Sequence, residues 1–346
     1  MKGRNLQQYN FSFYYSVRGI IQRGHNALRW RNGGKNMRVA VVSDGGIGEF
    51  LLHLDTLRIY LTRKAAQLTI HAGRSKVQLG REILEGVCWA EVDPDVSRSI
   101  DLDQYDGIFS MRWFTEVRPL VRSLAELVHD LKLYQSFEEA RARQHRALRQ
   151  HYDAGLTLHN LILHSSGLRP DGVFIHWNGP GHRLLDGEYV LVCNDCDPTP
   201  SQSQTKQVPP SLWHDIIDGL LRGGHVVEVG LRASPPSHES CEYFNLTGKT
   251  SILEWASLIR HARRIVTIEG GTAHLAAVLR RPATVLCGPT DARIYGHAMH
   301  NYIDSGICAP CHWTTDRWFE RCALGNGQAC MYGLDPARIV ERTLAQ

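Results

Sequence analysis

No stretch of the chain approaches the roughly 18–20 consecutive apolar residues that a membrane-crossing helix needs. Apolar segments such as Val39-Ala40-Val41-Val42 are of strand length. Residues 1–43 contain no aspartate or glutamate, only eight Lys or Arg. The other 303 residues hold 31 basic against 35 acidic side chains, so the net charge of +4 reflects one basic segment. Without a global basic field, nucleic acid is not expected as a partner. A secretory leader is not evident either, because Phe11–Val17 is broken by serine and tyrosine. With 346 residues, 43% hydrophobic and 21% charged, the chain is too apolar to be mainly disordered and long enough for two domains.

Nine cysteines (88, 193, 196, 241, 287, 308, 311, 322 and 330) are an odd number in a chain without such a leader. They point to a reducing, cytoplasmic compartment, where clustered cysteines serve as metal ligands or free thiols more often than as disulfides. The basic segment 1–36 has several readings. It is a tail peripheral to an anionic inner-membrane surface, a transit-like segment, a disordered extension, or sequence translated ahead of a start at Met37.

From Arg38 strands and helices alternate. Arg38–Ser43 reads as a buried parallel strand and Asp44-Gly45-Gly46-Ile47-Gly48 as a glycine turn. Phe50–Lys64 reads as a helix with Leu51, Leu54, Leu57 and Leu61 on one face. Leu68–His71 and Gly107–Met111 read as strands, and 117–165 as mostly helix. Gly179–Gly187 reads as an interdomain linker. Beyond it, strands are expected at Tyr189–Cys193, His225–Gly230, Arg264–Ile268 and Ala283–Cys287. Helices are expected at Ser211–Arg222, Ser251–Ala262 and Thr272–Leu279. This βαβ grammar predicts an α/β protein with two Rossmann-like domains facing a central cleft. Their expected limits are 37–182 and 183–346, after the extension 1–36.

Three glycine turns at strand ends carry the chemistry. Gly45-Gly46-Ile47-Gly48-Glu49 lets the backbone turn sharply and a ligand approach closely, and the following helix start favours negative charge. A dinucleotide fingerprint would need glycine at position 51, which is Leu51, so a nicotinamide oxidoreductase is disfavoured. Glu49 is either a carboxylate favoured by the helix dipole or, at a cleft mouth, a general base. Glu269-Gly270-Gly271-Thr272-Ala273-His274 offers bare amides to a phosphate or pyrophosphate. His274 either donates to that group or is simply half-buried. Gly288-Pro289-Thr290-Asp291 is the third turn. Ligands of open α/β sheets bind outside the carboxyl ends of the strands, so these turns fit a ligand between two domains. Lys206, beside Thr205, is an ordinary solvated charge unless the fold brings it to a phosphate.

Cys308-x-x-Cys311 can occupy two adjacent corners of a tetrahedral metal, with Cys322 and Cys330 completing a four-cysteine site for structural zinc or iron. The later gaps are irregular for a zinc ribbon; free thiols and disulfides stay open, and His312 is a substitute ligand. Four cysteine ligands leave no open position, so no catalytic metal is expected there. Cys193-Asn194-Asp195-Cys196 reads as cleft-lining, with a redox motif as the weaker alternative.

Together these residues resemble glycosyltransferase family 9, the ADP-heptose:lipopolysaccharide heptosyltransferase family. The resemblance runs from about Arg38 to the C-terminus and is weak around 110–185. It rests on Thr205-Lys206 before Trp213, on Asn245-Leu246-Thr247-Gly248-Lys249-Thr250-Ser251, on His274-Leu275-Ala276 and on Gly288-Pro289-Thr290. Cys308-x-Pro310-Cys311 with Cys330-Met331 is similar to a cysteine pattern of the family, and to the metal-bearing finger of autotransporter heptosyltransferases.

The resemblance implies a GT-B fold, with the acceptor on the first domain and a nucleotide-sugar on the second. It implies inverting transfer, without a catalytic metal, from a nucleotide-diphosphate donor such as ADP-heptose to a glycan or protein hydroxyl. By position, Glu49 falls on the catalytic aspartate, with Gly46 and Gly48 in the acceptor-side turn. Lys206 falls on a donor-phosphate lysine, and Glu269, Gly270, Gly271, Thr272, His274 and Thr290 fall in the donor site. Glu239, beside His238, falls where an acid binds the donor ribose. Two residues depart from the family pattern: Glu49 replaces aspartate, and Glu269-Gly270 replaces Asp-Thr. The first motivates an alternative, a non-enzymatic binding or assembly protein stabilised by its cysteine site; the second puts the sugar identity in question.

Overall fold

The computed structural model describes residues 37–43, 46–63, 66–92, 104–105, 107–112, 116–119, 157–165, 169–195, 204–233, 238–308, 310–311 and 321–346. Segment 1–36, Asp44-Gly45, Cys196 and His312 lie outside these residues, as does 120–156 of the stretch read as helix.

The first sheet is built from β1 (Met37–Ser43), β2 (Ala66–Ala72), β3 (Cys88–Glu91), β4 (Gly107–Arg112) and β5 (Glu116–Pro119), in the order β3-β2-β1-β4-β5. All neighbours run parallel except β4 and β5. Helix α1 (Ile47–Arg63) follows β1, α2 (Arg74–Ile83) follows β2, and α3 (Leu158–Ser165) closes this half. The expected helix from residue 117 is corrected at its start, where Glu116–Pro119 pairs with β4 as a strand. Val117 and Pro119 disfavour a helix interior and are compatible with an edge strand.

The second sheet is wholly parallel, in the order β11-β10-β9-β6-β7-β8. Its strands are β6 (Tyr189–Cys193), β7 (His225–Glu228), β8 (Tyr243–Asn245), β9 (Arg264–Ile268), β10 (Thr284–Leu286) and β11 (Asn301–Ile303). All of β6 is buried, as expected for a central parallel strand with both faces covered. The accompanying helices are α4 (Pro210–Leu221), α5 (Ile252–His261), α6 (Gly271–Val278), α7 (Ala292–Tyr295), α8 (Ala329–Tyr332) and α9 (Pro336–Leu344). Their starts follow local rules. Pro210 and Pro336 sit in first turns, and Ser251 and Glu254 form a reciprocal capping box at α5.

Two helices explain how the halves meet. In α1 every residue from Phe50 to Leu57 is buried, and in α6 every residue from Thr272 to Val278. A helix buried all round needs cover on both sides. Each has its own sheet on one side, and α1 and α6 pack against each other. One apolar core therefore runs from Val39 and Leu54 through Leu275 to Leu191 and Val285.

Residues 169–188 form an extended strap without helix or strand. Arg58 on α1 grips Asp171 at 2.7 Å, Asp55 Oδ1 accepts from Ile175 N, and Trp177 N donates to the Val278 carbonyl. The strap thus fastens to helices from both halves.

Candidate functional site at the meeting of two glycine turns

In each sheet the strand order reverses beside a glycine turn. The second sheet runs outward in opposite directions from β6 and β9, and the first from β1 and β4. Crevices at such switch points are where open α/β sheets bind ligands. The turn after β9 contains Glu269-Gly270-Gly271, and the turn after β1 contains Gly46 and Gly48.

The two turns touch. A Cβ on Gly271 would lie 3.6 Å from Ile47 Cβ and 3.7 Å from Gly48 N. A Cβ on Gly48 would lie 2.6 Å from His274 Cδ2. The N-termini of α1 and α6 therefore converge, and each presents unpaired amides and a positive dipole end. Glu49 is half-buried in the first turn of α1, and Gly46 is exposed at its entrance.

The charged groups on the second-sheet side form a connected set. Lys206, in a short 3-10 turn at Gln204–Lys206, places Nζ 2.5 Å from Glu269 Oε2, and both side chains are largely buried. Burial pushes the Glu269 carboxyl up. The Lys206 ammonium and His274 outweigh it, so Glu269 titrates below its ordinary range and stays ionised. His274 Nε2 is 3.8 Å from Glu269 Oε1, and His274 Nδ1 is 2.8 Å from His297 Nε2. Burial lowers the His274 pKa to about 4 despite Glu269, and lowers His297 to about 2, so both are neutral at pH 7. Two neutral imidazoles at that distance share one proton, so each fixes the tautomer of the other.

One turn further along both helices, Leu52 and Ala277 border a cavity of about 500 Å³. Its walls include His159, Phe174, Arg280 and His297. His159 Nε2 lies 2.6 Å from the fully buried Asp55 Oδ2. Sequence reading missed Asp55, His159 and His297. Their only signal is a polar residue at an apolar helical position in the first case, and partners brought from distant segments in the others.

Thr272 Oγ1 donates to Cys193 Sγ at 3.2 Å, and burial raises that thiol. Cys193 is therefore a buried thiol packed behind Thr272; its partner in the expected motif, Cys196, lies outside the described residues. Thr290 is buried in the turn after β10, at the same end of the sheet as Glu269. Glu239 is exposed in the β7–β8 connection, and its neighbour His238 turns toward Asp218 on α4.

The four C-terminal cysteines gather beneath the third turn. The Cys330 thiol is pushed up by burial, then by Cys308, Cys311 and Cys322. All four are free thiols, a soft donor set suited to zinc or iron. Cys311 N donates to the Pro289 carbonyl, and Gly288 packs so closely on Met331 and Cys330 that a Cβ would collide with Met331 Sδ.

Residues 185–316 match the family model of glycosyltransferase family 9 (heptosyltransferase). Lipopolysaccharide heptosyltransferase 1 of Salmonella typhimurium is 29% identical over 117 residues, covering 30% of this chain and 34% of that protein. The match thus spans about a third of the length of that relative. Among solved structures, the dodecameric iron-containing heptosyltransferase TibC, crystallised with ADP-D-beta-D-heptose, superposes with a TM-score of 0.61 at 14% identity. That alignment covers 89% of this chain and 75% of TibC. ADP-heptose lps heptosyltransferase II of E. coli gives 0.55 at 15% identity, covering 88% of this chain and 97% of that one. The architecture is accordingly GT-B.

Proposed function

We propose that this chain, whose residues 185–316 form a glycosyltransferase family 9 (heptosyltransferase) domain, transfers heptose from ADP-heptose to a hydroxyl of a glycan or protein. The observation that carries the reading is the close approach of Gly48 to His274, which brings the N-terminus of α1, with Glu49 in its first turn, to that of α6, whose His274 neighbours the buried Lys206–Glu269 pair. Converging amide dipoles and a lysine suit the pyrophosphate of a nucleotide-sugar, whose charge grows as it leaves. Residues 37–182 would receive the acceptor and 183–346 the donor.

In the proposed reaction Glu49 takes the proton of the acceptor hydroxyl. The oxygen attacks the anomeric carbon, the bond from that carbon to the diphosphate oxygen breaks, and the configuration inverts. Lys206, the Gly270–Thr272 amides and His274 face the departing diphosphate, and Thr290 completes the donor side; Glu239, next to His238 on the α4 flank, is not brought to it. Neutral His274 donates from only one ring nitrogen, and His297 determines which one. A phosphate arriving at Lys206 must replace or share its contact with Glu269, so that ion pair holds the lysine in place until the donor enters.

We further assign a structural zinc or iron ion to Cys308, Cys311, Cys322 and Cys330. When bound it would brace the Gly288–Thr290 turn, and no chemical step passes through it. Among the described residues no helix is long and apolar enough to cross a membrane. We place the protein in the cytoplasm, with its basic N-terminal segment available to an anionic membrane surface.

The direct test is ligand stabilisation followed by turnover. A ligand at about 100 times its dissociation constant adds about 2.7 kcal/mol of stability. ADP and ADP-heptose should each give that shift, whereas UDP, GDP, CDP and NAD should not. Glu49→Gln should retain the shift while turnover falls by about 100-fold or more. Stabilisation by a different nucleotide replaces the donor, and no stabilisation of folded protein by any of them removes the transferase reading.

A further inference from the structure

Away from the glycine turns, three metal-ligating side chains converge on the flank of the second sheet. His214 and Asp218 stand one turn apart on α4, and His238 reaches them from the β7–β8 connection. The ligand atoms of all three lie within 4.8 Å of one another. His214 Nδ1 is 3.4 Å from Asp218 Oδ2, and His238 Nε2 is 3.0 Å from Asp218 Oδ1. Tetrahedral zinc with bonds of about 2.0–2.2 Å sets its ligand atoms about 3.3–3.6 Å apart. The His214 contact, on Oδ2, is near such an edge, while His238 meets the other oxygen, so a rotation of the carboxylate brings one oxygen to both rings.

The surroundings hold one ligand and leave another free to adjust. The His238 side chain is 6% exposed, and its ring packs on Tyr243 with centroids 5.3 Å apart. Tyr243 in turn donates to the buried Glu228 carboxylate, which also accepts from Trp213 Nε1 at 2.8 Å. His214 is 47% exposed and stacks on His238, with centroids 4.1 Å apart and 23° between the ring planes. A cation lying in both ring planes requires the His214 ring to turn, which its exposure permits.

We propose that His214, Asp218 and His238 bind a borderline transition-metal cation, zinc foremost, which ties the β7–β8 connection to α4. Two imidazoles and one carboxylate suit zinc, nickel or copper(II); calcium and magnesium favour all-oxygen sites. Three protein ligands leave a fourth position for water. The same connection is anchored at its start, where Leu231 N and Arg232 N donate to Asp195 Oδ2 at 2.8 and 3.0 Å, just beyond β6. A cation at His238 would secure its other end, beside Glu239. This assignment does not depend on the transfer reaction.

The test is cobalt(II) titration of the full chain, read by equilibrium dialysis and visible absorption. It compares wild type, Cys308→Ser/Cys311→Ser, His214→Ala and Asp218→Asn. Cobalt on nitrogen and oxygen ligands shows d–d bands without the intense thiolate charge-transfer band of a cysteine site, so the two classes separate in one spectrum. The expected result is nitrogen/oxygen-type binding that persists in the cysteine variant and is displaced by zinc. It should weaken about tenfold or more in His214→Ala and Asp218→Asn. Both positions are exposed on a helix, so these variants keep the fold. No such bands in folded wild type, or unchanged affinity in both variants, overturns the assignment.

Discussion

Gly48 lies against the His274 imidazole so closely that a Cβ at position 48 would stand 2.6 Å from His274 Cδ2. Glycine is needed there for space, because the end of α1 must reach the end of α6. Gly48→Ala should force the helices apart or displace His274 from its contact with His297. The expected cost is about 1–3 kcal/mol, as for other overpacked sites. Urea unfolding measures it, and donor affinity should fall in parallel. Unchanged stability and affinity would mean that the turns are not locked together in solution.

The Lys206–Glu269 pair makes a second prediction. Breaking a buried ion pair from one side leaves an uncompensated charge and costs about 3–5 kcal/mol, whereas replacing both partners is often near neutral. Lys206→Met should therefore destabilise strongly, and Lys206→Met/Glu269→Gln should regain most of the loss. Donor affinity should not return in the double variant, since the phosphate contact is gone. Recovery of both together would assign the lysine to structure alone.

Much of this arrangement was legible in the sequence because parallel strands and glycine turns leave local marks. The strand at Tyr189–Cys193, the helix beginning at Ser251 and the turn at Gly270-Gly271 follow from contiguous residues. The βαβ order then fixes which turns share an end of the sheet. What was not legible depends on distant partners. Nothing near Lys206 announces Glu269, 63 residues later, as its counter-ion. Likewise α2, whose charged surface hides its short apolar stripe, and the edge strand at Glu116–Pro119 depend on neighbours that local pattern does not reveal.

His53 on α1 is 1% exposed, and neither ring nitrogen has a hydrogen-bond partner among the described residues. Burial, followed by the Lys76 charge, lowers its pKa to about 3. An unfolded chain takes up that proton near pH 6.5, so the neutral histidine's contribution is complete above that value. It is lost as pH falls from about 6.5 toward 3, at about 1.4 kcal/mol per unit. His274 and His297 act in the same direction. His53→Leu removes one such proton, so the melting temperature at pH 5 should move closer to its value at pH 8 than in wild type. An identical pH dependence would exclude His53 as a source of acid sensitivity.

The cysteine cluster makes the last prediction, because Gly288 packs on Cys330 and Met331 and Cys311 holds the Pro289 carbonyl. A metal among the four sulfurs would stiffen the turn that carries Thr290 without entering the chemistry. Purified protein should then contain about one cysteine-dependent zinc or iron per chain, the stoichiometry of a single closed four-ligand site. Cys308→Ser/Cys311→Ser should lose that metal. Donor affinity should weaken more than turnover at saturating donor, because the turn lies on the donor side and the proposed base does not. A metal-free wild type of full stability would leave the cluster as reduced thiols. Metal loss with equal damage to affinity and turnover would show that the cluster supports the whole second domain rather than this one turn.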